Sequence, residues 1–145
     1  MILSKLRDVS IKKKIEKELI NFDKSLNPIS DEKINSILIF TDEITQLNSN
    51  QIIADHLNID VSKIKVVNFI KKSPKESSSK ELLTDKDFNW LGKLKNDYVQ
   101  SLVNTDFDLL INLTVKNLFL DYLVVLSKAK FKTGFASDDN RLLDF

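Results

Sequence analysis

Apolar and polar residues follow two rhythms along this chain, one helical and one extended. Over residues 2–21, Leu3, Leu6, Ile11, Ile15 and Leu19 return at close to helical spacing with lysines between them, which predicts an amphipathic helix within an N-terminal segment 1–25. Within "KKKIEKE", Lys14 and Glu18 form a pair at helical spacing. Pro28 in "NPISDEK" ends that pattern. "INSILIF" then predicts a buried strand centred on Ile37 to Phe40. Asn48 or Ser49 is placed to cap a helix through about Leu57, with Ile52, Ile53 and Leu57 as its inner face. After the turn "DVSK", "IKVVNFI" (64–70) predicts a second strand.

The polar, serine-rich stretch 71–80, which contains Pro74, predicts an exposed loop. "ELL" opens a short third strand, and Thr84 is placed to cap a helical turn. A helix is expected near 94–104. "FDLLINL" (107–113) is the clearest strand, so apolar throughout that both faces should be covered. A helix at 115–129 and a strand at 130–135 follow, and the tail "ASDDNRLLDF" takes no assigned element. Repeated strand–helix units after a leading helix imply an α/β, three-layer Rossmann-like fold. Its sheet is mostly parallel, of about five strands, with helices on both faces and right-handed crossovers.

Composition narrows the function classes. The chain has 145 residues, read as one domain spanning 1–145, with 42% hydrophobic and 30% charged residues and a formal net charge of +1. That charge gives no strong field for nucleic acid or an anionic membrane. The absence of cysteine removes disulfides and thiolate chemistry, and one histidine, His56, removes most zinc architectures. The N-terminus lacks a continuous apolar core, and the most apolar stretch, Leu118 to Leu126, is broken by Asp121 and too short to span a bilayer. A soluble cytoplasmic protein is expected, with no cofactor and no metal. Two glycines, Gly92 and Gly134, cannot spell GxGxxG or GxxxxGK[ST], which disfavours the standard phosphate loops.

In parallel sheets ligands bind beyond the C-terminal strand edge, where the chain order reverses. Thr41 and Asp42 follow the first strand there, Asn68 ends the second, and Asn112 and Thr114 end the fourth. If strands one and four are neighbours, Thr41, Asp42, Asn112 and Thr114 line a candidate crevice. The competing reading is that they cap helices and satisfy backbone amides. Asp106 and Asp108 match a metal-binding DxD spacing, but they open their strand and so lie at the opposite edge. "DKD" (Asp85, Asp87) is equally weak as a metal motif. His56 reads as a helix-end residue. The lysines around 63–80 read as a solvated loop rather than a nucleic-acid surface. "NLT" (112–114) is an incidental sequon. Trp90 in "DFNWLGK" either plugs the sheet edge or marks a partner surface. A basic amphipathic N-terminal helix can lie on a membrane or take a partner. With no aromatic anchor before Phe22, packing against the sheet or a second subunit is the expected use, which makes this helix the place for self-association.

Two resemblances follow from these residues. "LLTDKDFNWLGKLKNDYVQSLVNTDFDLLINLT" through "LSKAKFKTGF" resembles a family of small uncharacterised proteins of Bacteroidota, over about Ile37 to Phe135. It implies no activity and transfers no functional residue. "FDLLINLT", a helix and "LSKAKFKTGF" are similar to part of the N-terminal domain of ADP-heptose lipopolysaccharide heptosyltransferases, over about 30 residues. That second resemblance implies strand order 3-2-1-4-5. Asn112 stands where an aspartate is usual in those enzymes, Thr114-Val115 replace a polar-glycine loop, and the glycine-rich first loop and second domain are missing. The expectation is therefore a non-catalytic binding or interaction module. The alternative is a nucleotide- or phosphate-ligand domain, or a degenerate glycosyltransferase-like enzyme. Nucleic-acid association ranks last.

Overall fold

The computed structural model describes residues 2–21, 33–42, 49–70 and 82–134. The expected loop 71–80, the connector at Pro28, Phe22 to Ser25, Asn48 and the tail after Phe135 lie outside the described residues. In chain order the elements are α1 (Ile2–Asn21), β1 (Ile37–Asp42), α2 (Ser49–Leu57), β2 (Ile64–Phe69), β3 (Leu82–Leu83), α3 (Asp97–Val103), β4 (Leu109–Asn112), α4 (Leu118–Leu126) and β5 (Phe131–Gly134). Single 3-10 turns occur at Val61–Lys63 and Asp85–Asp87. The five strands form one sheet in the order β3-β2-β1-β4-β5, with every pairing parallel.

The strands are central because their side chains are apolar on both sides. Ile37, Leu38, Ile39 and Phe40 are all fully buried. Side chains alternate across a strand, so Ile37 and Ile39 join Ala54 and Ile64 on one face, beneath α2. Leu38 and Phe40 join Val67, Phe69 and Leu110 on the other, beneath α1, α3 and α4. The latter cluster is the larger and contains Ile11, Ile15 and Leu19 of α1 and Leu120 and Leu123 of α4. Helices therefore cover both faces of the sheet.

Several boundaries and inner faces differ from the sequence pattern, each for a local reason. Helix α3 starts at Asp97, later than expected, because the Asn96 side chain accepts from Val99 N–H and caps it. Helix α4 likewise starts at Leu118, where Asn117 accepts from Leu120 N–H at 3.1 Å. At its other end, Ser127 leaves the helical conformation. The inner face of α2 is Ala54 with Ile53. Ile52 and Leu57, at 52% and 43% exposure, point outward, because the residue meeting Ile37 and Ile39 closely is the small one. In α1, Ile11, Ile15 and Leu19 are buried, but Leu3 and Leu6 are exposed. The helix packs through its second half and carries its first turns past the core.

Gly134 stands beside β4 so closely that a Cβ there would collide with the Asn112 carbonyl oxygen. Asn58, with φ of 53°, follows α2 in the left-handed conformation usual after a helix C-terminus.

Candidate functional site

Strands β1 and β4 are neighbours, as the crevice requires, but Thr41 and Asn112 turn to opposite faces, while Asp42, two residues beyond Phe40, shares the face of Asn112. Thr41 continues the Ile37–Ile39 row towards α2 and pairs in register with Asn68. Its hydroxyl donates to Asn68 Oδ1 at 3.4 Å, and both residues are buried. The Asn68 amide nitrogen is buried with no hydrogen-bond partner among the described residues. Asn112 pairs in register with Phe40 and shares that residue's face. Its Oδ1 accepts from Thr114 N–H at 3.1 Å and from the Thr114 hydroxyl at 2.6 Å, so Asn112 and Thr114 satisfy each other in a closed turn. Asp42, half-buried, ends β1 opposite Phe69. The fold thus brings Thr41 to Asn68 and Asn112 to Thr114, on separate sides of the sheet.

The open space at the C-terminal edge lies beside these residues, on the α1 side. A hollow of about 390 Å³ is bounded by Arg7 and Asp8 of α1, Phe69 at the end of β2, Asp85, and Lys116 to Phe119 at the start of α4. A second, of about 350 Å³, is bounded by Leu3, Ser4, Arg7, Asp85 and Trp90. The two share Arg7 and Asp85, so together they form one flank with an ion pair at its middle.

Arg7 organises that flank. Its guanidinium donates to the Asp85 carbonyl oxygen at 3.2 Å and reaches the Asp85 carboxylate at 3.5 Å. Nε faces the Asp8 carboxylate at 3.7 Å, and the group lies 5.0 Å from the centre of the Phe119 ring. Phe119 stacks on Phe69 and tilts against Phe88, with ring centres 5.4 and 5.0 Å apart. Only about 15% of the Arg7 side chain is exposed. A flat guanidinium that stacks on a ring while spreading several N–H donors suits this place better than an ammonium. Lys116, at the mouth of the first hollow, has a φ of 53°, the left-handed region that costs a lysine about 1–3 kcal/mol. Two cations and two carboxylates surround the first hollow, so its formal charge sums to zero and it is no strong anion trap.

Trp90 stands on a turn built for display. Asn89 Oδ1 accepts from Leu91 N–H at 3.0 Å and Lys93 N–H at 2.8 Å, and Gly92 N–H donates to the Asn89 carbonyl at 2.9 Å. Phe88 bridges to Leu94 at the base of the turn, and both are buried. Gly92 has a φ of 81° and rests on α1, where a Cβ would lie 2.8 Å from the Ile11 side chain. Trp90 and Leu91 at the tip are 56% and 48% exposed. Trp90 is therefore displayed beside the second hollow and is not a plug in the sheet edge.

Asp106 is exposed and Asp108 is committed elsewhere. The Asp108 carboxylate accepts from Asn35 N–H at 2.8 Å and Ser36 N–H at 3.1 Å and pairs with Lys130 at 3.3 Å. Burial by itself raises its pKa, but those donors and the lysine charge outweigh it and the net shift is downward. Among the described residues no three His, Cys, Asp or Glu side chains gather around one point. His56 Nδ1 lies 2.8 Å from the Ile52 carbonyl oxygen within the last turn of α2. Among the described residues no helix is long and apolar enough to cross a membrane.

Arg7, Asp85 and Lys116 carry the flank; Asp85 stands out in the sequence only as half of the weak "DKD" motif, and sequence pattern does not reveal Arg7 or Lys116. The one available signal is composition: Arg7 is one of two arginines among 22 basic residues.

The architecture is that of a parallel α/β protein whose N-terminal helix packs on α4 and reaches the hollow at the C-terminal sheet edge through Arg7 and Asp8. The chain belongs to a family described as a family of unknown function (DUF6913), which matches residues 7–145. No curated protein and no solved structure matches it.

Proposed function

We propose that this is a non-catalytic, Rossmann-like binding module of the cytoplasm. Its recognition surface is the flank formed by the first half of α1, the Trp90 turn and the hollow between them. The observation that carries the reading is Trp90 itself, a large side chain held in solvent on a turn that Asn89 and Gly92 make rigid. Indole anchors dominate binding energy when they become buried in a partner. The strand-end polar groups Thr41, Asn112 and Thr114 are turned inward and hydrogen-bonded, which supports a structural use for them. The test compares what immobilised wild-type chain and Trp90→Ala and Leu3→Ala chains retain in crosslinking pull-downs. Partners lost from both variants support the reading, and unchanged partners remove Trp90 as the anchor.

A second reading is a small-molecule site for a nucleotide-like or phosphorylated ligand, in keeping with the resemblance to heptosyltransferase N-terminal domains. The first hollow favours it, since Arg7, Lys116 and the start of α4 meet there at the C-terminal edge. It ranks second because Asp85 and Asp8 already engage Arg7, so an anion would have to displace them. A thermal-shift screen with nucleotides and sugar nucleotides, run beside Lys116→Ala and Asn112→Ala, decides it. A shift lost in Lys116→Ala supports the hollow, a shift lost in Asn112→Ala supports the strand-end crevice, and no shift removes both.

A further inference from the structure

We infer that the exposed side of α1 and the Trp90 turn together dock on an anionic lipid surface. This rests on the binding flank described above and names its partner.

Helix α1 carries two apolar stripes, and the sheet consumes only one. Ile11, Ile15 and Leu19 face the core. On the opposite side Ile2, Leu6 and Val9 recur at intervals of four and three residues, which places them within about 60° of one another around the helix. Their exposures are 78%, 48% and 49%, with Leu3 beside them at 61%. Scattered exposed apolar residues are ordinary, but a contiguous patch of them is not.

The rim is basic. Lys5, Lys12, Lys13 and Lys17 are all exposed on α1, against two exposed acids, Glu16 and Glu18. An apolar stripe with lysines along its borders is complementary to a surface that is apolar within and negative outside. The same excess of positive charge opposes pairing with a second copy of this stripe.

Helix α1 lacks an aromatic anchor in its own sequence, and the fold supplies one. Trp90 lines the same hollow as Leu3, and Gly92 of the Trp90 turn is seated on Ile11. Two segments far apart in sequence thus bring Trp90 beside Leu3, at the edge of the outward apolar stripe of α1. That surface is broader than the single seam a partner helix would bury, which favours a bilayer over an acidic protein helix. An indole with one apolar and one hydrogen-bonding edge suits the boundary between headgroups and acyl chains.

The experiment uses the full chain and two sets of vesicles, one of phosphatidylcholine and one of equal parts phosphatidylcholine and phosphatidylglycerol. Binding is read by co-sedimentation and by emission of Trp90, the chain's single tryptophan. The expected result is sedimentation with the anionic vesicles, a blue shift of Trp90, and weakening by salt. Lys12→Gln with Lys13→Gln should lower partitioning about 25-fold, from roughly fivefold per lysine. Leu6→Gln with Val9→Gln should lower it at least about tenfold. All four positions are exposed, so an unchanged urea midpoint confirms that folding is intact.

The inference is overturned if the chain stays in the supernatant, if both vesicle types bind it equally, or if the substitutions leave partitioning unchanged. Suppose instead that a synthetic Glu- and Leu-rich amphipathic peptide shifts Trp90 emission while vesicles do not. Then the lipid assignment falls and the binding flank stands. If neither probe acts and the Trp90→Ala pull-down matches wild type, the flank falls as well.

Discussion

Arg7 and Asp85, 78 positions apart in the chain, are joined by two contacts from one guanidinium, one to the backbone carbonyl and one to the carboxylate. This pair ties the first turns of α1 to the turn after β3. It also forms the shared wall of both hollows.

Removing it should loosen the flank without unfolding the core. Arg7→Ala is expected to cost about 1–3 kcal/mol, combining a charge-assisted hydrogen bond with the lost stacking on Phe119. Arg7→Lys should recover only part of that, because an ammonium cannot stack and fork at once. Urea unfolding of the three chains checks it. Equal stability of the lysine and arginine forms would show that charge alone matters here.

Asp108 gives a pH signature. Its carboxyl titrates below the usual range in the folded chain, since the Asn35 and Ser36 amides and Lys130 favour the ionised form beyond the opposing effect of burial. A depressed folded pKa means the unfolded chain takes up the proton first. The stabilisation is therefore complete above the unfolded carboxylate pKa near 4 and is lost as pH falls through the lower folded value. Asp108→Asn should be less stable than wild type at neutral pH by about 1–2 kcal/mol. The gap should narrow below about pH 4. A gap independent of pH, measured by urea titration, would contradict this account.

The two stripes of α1 should differ sharply in cost. Ile11→Ala removes a fully buried side chain and should destabilise by about 2–4 kcal/mol. Leu6→Ala, at an exposed position, should change stability by no more than about 0.5 kcal/mol. Thermal melting of both variants provides the comparison.

Both glycines are held by geometry. Gly134→Ala forces a Cβ against the Asn112 carbonyl of the paired strand, a backbone atom rather than a movable side chain, and should cost more than about 2 kcal/mol. Gly92→Ala meets the movable end of Ile11 but must also adopt a positive φ, for about 1 kcal/mol. Hydrogen exchange should place the larger disturbance at β4 and β5.

Much of the architecture was legible in local pattern. "ILIF" is buried on both sides, whereas in "LLIN" Leu110 and Asn112 are buried and Leu109 and Ile111 only half-buried; the leading helix was readable from Ile11, Ile15 and Leu19. The third strand was readable at Leu82-Leu83 despite its brevity. Boundaries moved by a few residues where Asn96 and Asn117 supplied caps, because an asparagine is equally at home in a turn and gives no sign of which it will be.

The positions of Thr41, Asp42, Asn112 and Thr114 near the end of the sheet could also be read from strand direction. Their facing could not. Neighbouring strands here pair Phe40 with Asn112, one step short of Thr41, and one step in a strand turns a side chain to the opposite face. The sequence by itself determined the element order, the parallel sheet and the buried strand residues, because these follow from periodicity within short windows. Only the tertiary structure decided that α1 would leave Leu3 and Leu6 outside, that Arg7 would meet Asp85, and that Trp90 would stand beside Leu3. Those outcomes depend on where two distant segments come to rest against each other, and no local spacing encodes that meeting.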